Sequence, residues 1–193
     1  MACRELETER LRLRQWRESD WPVFAEMSAH PEVMAYFPKL LQAKESRELA
    51  EKYQQLLVRQ GWGLWAVALK EPDQFIGFVG LHAPSADLPF SPCLEIAWRL
   101  HRPFWGKGYA TEAANQALAF AFESLSVGNV LSFTSCANQP SRRVMERLGM
   151  VNTDHNFKHP DLGPNHPLAE HVLYAISQEE WRKKLSTLAN DKR

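Results

Sequence analysis

The chain has 193 residues and carries 23 basic and 23 acidic side chains, so its formal net charge is zero. No global field draws it to nucleic acid or to an anionic membrane surface. Its 45% apolar and 24% charged content sets aside disordered and fibrous classes, and the length is ample for one domain with a real core.

No apolar run approaches the length of a membrane span, and the charged first ten residues lack the apolar centre of a secretion signal. Cys3, Cys93 and Cys136 are widely separated and odd in number, which points to a reducing compartment. The expectation is a single cytoplasmic domain over residues 1–193 that has no nucleic-acid or membrane partner.

Leu6 to Arg14 alternates apolar and polar residues, Leu11 and Leu13 to one side and Arg12 and Arg14 to the other, which predicts a half-buried strand. Ser19 and Asp20 offer helix caps and Pro22 suits a first turn, so a short helix is predicted over Trp21 to Ser28. His30-Pro31 breaks it, and a short turn is predicted over Val33 to Phe37. Leu49, Tyr53, Leu56 and Leu57 recur at helical spacing and Gly61 ends that run. Trp16, Trp21, Trp62, Trp65 and Tyr36 read mostly as core.

Gly63 to Leu69 and Gln74 to Leu81 form a predicted hairpin about Pro72-Asp73. Ala83 to Pro92 reads as loop. Cys93 to Leu100 is a strand that puts Glu95, Ala97 and Arg99 on one face and Leu94, Ile96, Trp98 and Leu100 on the other. A helix with a small-residue stripe follows from Tyr109 to about Leu125, then a strand over Val130 to Cys136. Asn138-Gln139-Pro140 opens a helix from Ser141 to Leu148, with Gly149 as its cap. Met150 to Phe157 and His171 to Ile176 are predicted strands, and Gln178 to Leu188 a final helix. The order predicts an α/β or α+β mixture with a mostly antiparallel central sheet flanked by helices.

Between the Cys93–Leu100 strand and the Tyr109 helix lies Trp105-Gly106-Lys107-Gly108-Tyr109-Ala110-Thr111-Glu112-Ala113. A strand, a glycine turn and a helix start expose successive N–H groups to an anion, and the helix N-terminus adds partial positive charge. This is a candidate site for the pyrophosphate of a nucleotide-like cofactor. The absence of G-x-G-x-x-G argues against a dinucleotide-binding oxidoreductase.

This loop, the block Asn138-Gln139-Pro140-Ser141 with Arg143-Val144-Met145-Glu146-Arg147-Leu148-Gly149-Met150, and the start Leu6-Glu7-Thr8-Glu9-Arg10-Leu11-Arg12-Leu13-Arg14 together resemble the GNAT superfamily of N-acetyltransferases. The resemblance is to the branch that acetylates ribosomal-protein N-termini, and it implies the GNAT-like fold and acetyl-CoA as acyl donor. It further implies that Trp105, Gly106, Lys107, Gly108, Tyr109, Ala110 and Thr111 form the CoA loop. Ile96, Ala97 and Trp98 would meet the pantetheine arm through main chain, and a backbone N–H there would polarise the thioester. Asn138, Ser141 and Arg143 would also contact the cofactor. Asn138 reads equally as a helix cap, and Arg143 as a solvent-facing arginine.

Two positions depart from the family pattern. Pro103 stands where Gln or Arg is common, and Met145 where a Tyr often protonates the leaving thiolate.

A substrate ammonium must lose a proton before it attacks, so a general base is needed. Glu95, on the cofactor strand, and His82, at the end of the preceding strand, are the candidates. Glu95 reads alternatively as a structural partner of Arg99, and the Trp98 side chain as core. Tyr36 and Trp62 are candidate acceptor-lining residues. His155, His159 and His171 match no zinc spacing, and no metal is expected. The function implied is acetyl transfer to a primary amine, a protein N-terminus or a small molecule, by a monomer or homodimer. The alternative is a non-catalytic acyl-CoA-binding module.

Overall fold

The computed structural model describes residues 3–190. The fold is a mixed α/β arrangement whose strand pairing is mostly antiparallel, with helices packed on it. The chain forms two compact units. One comprises the residues up to His82 together with Ile96–Ala117; the other comprises Ala83–Glu95 and the residues from Leu118 onward.

In the first unit β1 (Leu6–Glu7) and β2 (Leu11–Arg14) make a hairpin, with Leu6 opposite Leu13 and Glu7 opposite Arg12. The continuous strand expected over Leu6 to Arg14 is therefore two strands. Thr8 makes the turn, its N–H donating to the Leu11 carbonyl at 2.9 Å and its Oγ1 accepting from the Leu11 N–H at 3.0 Å. Both arms keep the same two-residue alternation and no glycine, proline or asparagine marks the turn, so periodicity alone could not reveal it.

β2 pairs with β3 (Leu64–Leu69), and β3 with β4 (Phe75–His82), both antiparallel. β5 (Glu95–Leu100) follows β4, and the chain leaving it donates from His101 N–H to the Ile76 carbonyl at 2.8 Å. Gly77 makes this approach possible. A Cβ at that position would stand 2.2 Å from the Arg99 carbonyl oxygen, so only a residue without one fits.

α1 (Trp21–Ala29) and α2 (Ala43–Gln60) pack against each other in this unit. Trp16, 2% exposed, gathers Phe24, Tyr53, Phe75 and Phe78 at ring distances of 5.1 to 6.3 Å. Its indole N–H is satisfied by the Leu64 carbonyl at 2.8 Å.

The expectation that Arg14 points to solvent is corrected: it is 2% exposed. Its Nη1 and Nη2 donate to the two carboxylate oxygens of Asp20 at 2.7 and 2.9 Å. Asp20 also accepts the Arg17 N–H at 2.8 Å, so its carboxylate serves the arginine and the turn and makes no cap bond to α1. Trp21 is half-buried rather than core, with the Arg47 guanidinium 4.6 Å from its ring centre.

In the second unit the Glu95 end of β5 pairs parallel with Leu131 of β6 (Asn129–Ser135). β6 then runs antiparallel along β9 (Glu170–Ser177) from Asn129 opposite Ser177 to Ser135 opposite His171. The strand expected over Met150 to Phe157 is two short pieces, β7 (Val151–Asn152) and β8 (Phe157–Lys158), both on β9. Between them Asp154 sits at a φ of 57°, a left-handed residue that breaks a strand. α3 (Tyr109–Glu123) runs from the first unit into the second, which also holds α4 (Gln139–Arg147) and α5 (Gln178–Asn190).

Asp20→Ala leaves the buried Arg14 guanidinium with only the longer 3.9 Å pairing of its Nε to Asp73. The expected loss is about 3–5 kcal/mol in urea denaturation; a loss no larger than that of an exposed pair would show that Asp20 does not hold Arg14.

Candidate active site

The glycine loop is built from the end of β5 outward. A 3-10 turn over Arg102–Phe104 accommodates Pro103 at its start, with the Phe104 and Trp105 N–H groups bonding back to His101 and Arg102 carbonyls at 3.0 and 3.2 Å. The Trp105 indole N–H donates to the Leu100 carbonyl at 2.7 Å and so ties the turn to the strand. The Arg102 guanidinium lies 5.1 Å from the Trp105 ring centre.

Gly106 and Gly108 then take φ values of 75° and 80°, the left-handed region that disfavours a side chain. A Cβ at Gly106 would meet nothing within 4 Å, so the requirement there is conformational and the space beside it is open. The first helical bond of α3 runs from the Glu112 N–H to the Gly108 carbonyl at 3.0 Å. The N–H groups of Tyr109, Ala110 and Thr111 precede that ladder, and the helix offers them no carbonyl. Amides in this setting, with the helix dipole behind them, fit an anionic group such as a pyrophosphate. Lys107 is exposed, with Nζ 5.4 Å from the Phe104 ring centre.

Glu112, in the first turn of α3, was not singled out from the sequence. Its Oε1 accepts the Thr8 hydroxyl at 2.5 Å and the Arg10 N–H at 2.9 Å, and its Oε2 takes the Arg10 guanidinium at 2.7 and 2.6 Å. The same guanidinium covers the Tyr109 ring at 4.5 Å. The start of α3 is thus fastened to the β1–β2 turn. Burial pushes the Glu112 carboxyl up, but the Thr8 hydroxyl, the Arg10 N–H and the Arg10 guanidinium together outweigh it and hold it below the ordinary glutamate value.

On β5, Ile96 is fully buried while Ala97 and Trp98 are half-buried, so the Trp98 side chain is not the core residue expected. Glu95 is a buried carboxylate at 8% exposure, and His82 is half-buried at the end of β4. Arg99 is also 8% exposed and makes no ion pair among the described residues, so the salt bridge weighed for it is absent. Of the acceptor candidates, Tyr36 is half-buried in the turns after α1, and Trp62 is half-buried between α2 and β3.

In the second unit Asn138 caps α4. Its Oδ1 accepts the Ser141 N–H at 3.2 Å and its Nδ2 donates to the Thr134 hydroxyl at 2.9 Å. Arg143 is exposed, whereas Arg142 is held by the Cys136 carbonyl at 3.3 Å and the Tyr174 hydroxyl at 3.5 Å. Met145 is fully buried. The histidine-rich segment joins an aromatic cluster in which the His159 and His171 rings lie 5.1 Å apart, tilted by 47°, beside Phe133 and Phe157. Burial holds His171 below the ordinary imidazole value. No group of three or more His, Cys, Asp or Glu residues is arranged to hold a metal among the described residues.

The family profile described as Acetyltransferase (GNAT) domain matches residues 10–151. An uncharacterized N-acetyltransferase of Bacillus subtilis, YnaD, is 26% identical over 183 residues, covering 90% of this chain and 97% of that one. The FsC-acetyl coenzyme A-N(2)-transacetylase of Aspergillus fumigatus is 34% identical over 125 residues, 63% of this chain and 52% of the fungal protein. Among solved structures, a GNAT-family acetyltransferase from Bacillus anthracis superposes with a TM-score of 0.76 at 25% identity, over 91% of this chain and 99% of its own.

The Glu112 clamp is full above the ordinary glutamate value of 4.5 and fades as pH falls through the lower value of the folded state. Glu112→Gln is expected to lose about 1–2 kcal/mol at pH 7. The gap to the wild type should close below pH 4.5 in urea titrations; a pH-independent gap would remove the carboxylate charge from the clamp.

Proposed function

The chain belongs to the GNAT acetyltransferase family, and from that membership we propose that it moves the acetyl group of acetyl-CoA onto a primary amine by direct attack within a ternary complex. The observation that carries this reading is the pair of left-handed glycines, Gly106 and Gly108, leading into the unladdered amides of α3.

In this reading the amides from Gly106 to Thr111 hold the CoA pyrophosphate, with Trp105 and Lys107 at the loop's edge. Bound acetyl-CoA supplies an activated thioester. Main chain at Ile96, Ala97 and Trp98 lies along the pantetheine arm and polarises the thioester carbonyl. In the second unit, the family resemblance makes Asn138, Ser141 and the exposed Arg143 further candidate cofactor contacts. Tyr36 and Trp62 line the acceptor side. Glu95, with His82 as the second candidate, takes the ammonium proton. The amine nitrogen then bonds to the acetyl carbon and the C–S bond breaks; the nitrogen gives its second proton to water, and water returns one to the departing CoA sulfur. Three burial facts support these roles: Glu95 is a buried carboxylate on the cofactor strand, and the half-buried Ala97 and Trp98 leave β5 approachable.

One observation favours a second reading, a non-catalytic CoA-binding module. The helix position at which many members of the family place a tyrosine is Met145, which is fully buried and has no proton to give.

Release of free thiol from acetyl-CoA over a panel of peptides, amino acids, polyamines and aminoglycosides separates the two. Amine-dependent release is expected; tight CoA binding with no release on any amine would favour the module. Glu95→Gln should lower kcat about 100-fold and change acetyl-CoA affinity far less. An unchanged kcat would remove Glu95 as base.

A further inference from the structure

Arg99 lies on β5 two residues from Ala97, on the same face of the strand. Its guanidinium is boxed by aromatic rings, with Cζ 4.1 Å from the Phe37 centroid, 5.3 Å from Phe78 and 6.0 Å from Phe24. Nε and Nη1 are both buried and neither has a hydrogen-bond partner. No carboxylate pairs with it among the described residues. A buried guanidinium without a counter-ion costs several kcal/mol, and ring faces return only about 0.5–2 kcal/mol apiece.

The same unit shows what the fold does with an arginine that serves structure alone. Arg14 is equally deep and is answered by both oxygens of Asp20. Arg99 has the wall of such a site without the acid. Phe37, the ring nearest its charge, is 36% exposed and sits in the turns after α1, so the covering side of the box reaches solvent. Burial holds Arg99 below the usual arginine value, and the electrostatic pull of Tyr53 offsets only part of that.

We propose that Arg99 is a recognition residue for the acceptor, pairing with a carboxylate carried by the amine that is acetylated. This rests on the acetyltransferase reading of the site. Two residues along an extended strand span about 6.6 Å. A small amine presented to the thioester beside Ala97 therefore has its own acidic group within reach of Arg99. The acceptor class is then amino acids and amino-acid-like amines with a free carboxylate, and polyamines are poor acceptors. A carboxylate meets a guanidinium through charge-assisted hydrogen bonds and fills the donors that the protein leaves open.

The test uses the full chain with the L-amino acids and their carboxamides as matched acceptors, in the wild type, Arg99→Met and Arg99→Lys. Wild-type kcat/KM is expected to favour the acids about 10- to 100-fold, mostly through KM. Arg99→Met should collapse that ratio toward one, with Arg99→Lys intermediate. Because removing an unpaired buried charge does not cost stability, the Tm of Arg99→Met should hold or rise.

In parallel, the Arg99 Nε–H resonance is followed during titration with acetate, phosphate and CoA. Saturable movement with acetate supports the proposal even if no amine is acetylated, in which case the acetyltransferase reading fails alone. A wild-type ratio near one, an Arg99→Met ratio equal to the wild type, tighter binding of phosphate than acetate, or movement with CoA alone would each overturn it.

Discussion

The proposed cofactor site depends on how the first turn of α3 is held. Two left-handed glycines can aim backbone amides only if the helix behind them is fixed in place, and the loop makes few bonds of its own. Glu112 does the fixing. Its carboxylate gathers a hydroxyl, an amide and a guanidinium from the turn between β1 and β2, residues a hundred positions earlier. The acid stands where the helix dipole favours a negative charge, and Arg10 covers Tyr109 with the same guanidinium that binds it. At the other end, Trp105 locks the turn to the Leu100 carbonyl. The glycine loop is strung between these two anchors.

The two buried arginines of the first unit follow opposite logic. Arg14 is neutralised by Asp20 and organises the approach to α1. Arg99 is wrapped in rings, and its charge remains. Burial of a guanidinium is tolerable when a carboxylate meets it in good geometry, and an unanswered one is a standing demand for an anion. Gly77 lets β4 lie against the Arg99 carbonyl, where a Cβ would stand 2.2 Å away.

Much of this was legible in the residues. The glycine loop, the Asn138 cap and the order of helices and strands all follow from local chemistry: turn residues, capping side chains and periodicity. Some misses were local and others long-range. The β1–β2 turn escaped because Thr8, Glu9 and Arg10 are not turn punctuation, and both arms alternate alike. Arg14 read as outward because alternation counts faces and cannot see an acid six residues on that makes burial tolerable. Glu112 looked like a helix-start carboxylate and no more; only the fold brings Thr8 and Arg10 to it. Arg99 sat on the face already assigned to Glu95 and Ala97, and an arginine there read as a salt-bridge partner. The single strand expected after Met150 broke at Asp154, where a left-handed residue ends the pairing.

In the proposed function the amides from Gly106 to Thr111 bind the cofactor's pyrophosphate. Backbone amide resonances of the intact protein, followed during titration with CoA and then with inorganic pyrophosphate, test it most directly. Gly106, Gly108, Tyr109, Ala110 and Thr111 are expected to move saturably with CoA, and pyrophosphate to move the same set and compete. If CoA binds while these amides stay still, or pyrophosphate moves a different set, the loop is not the site.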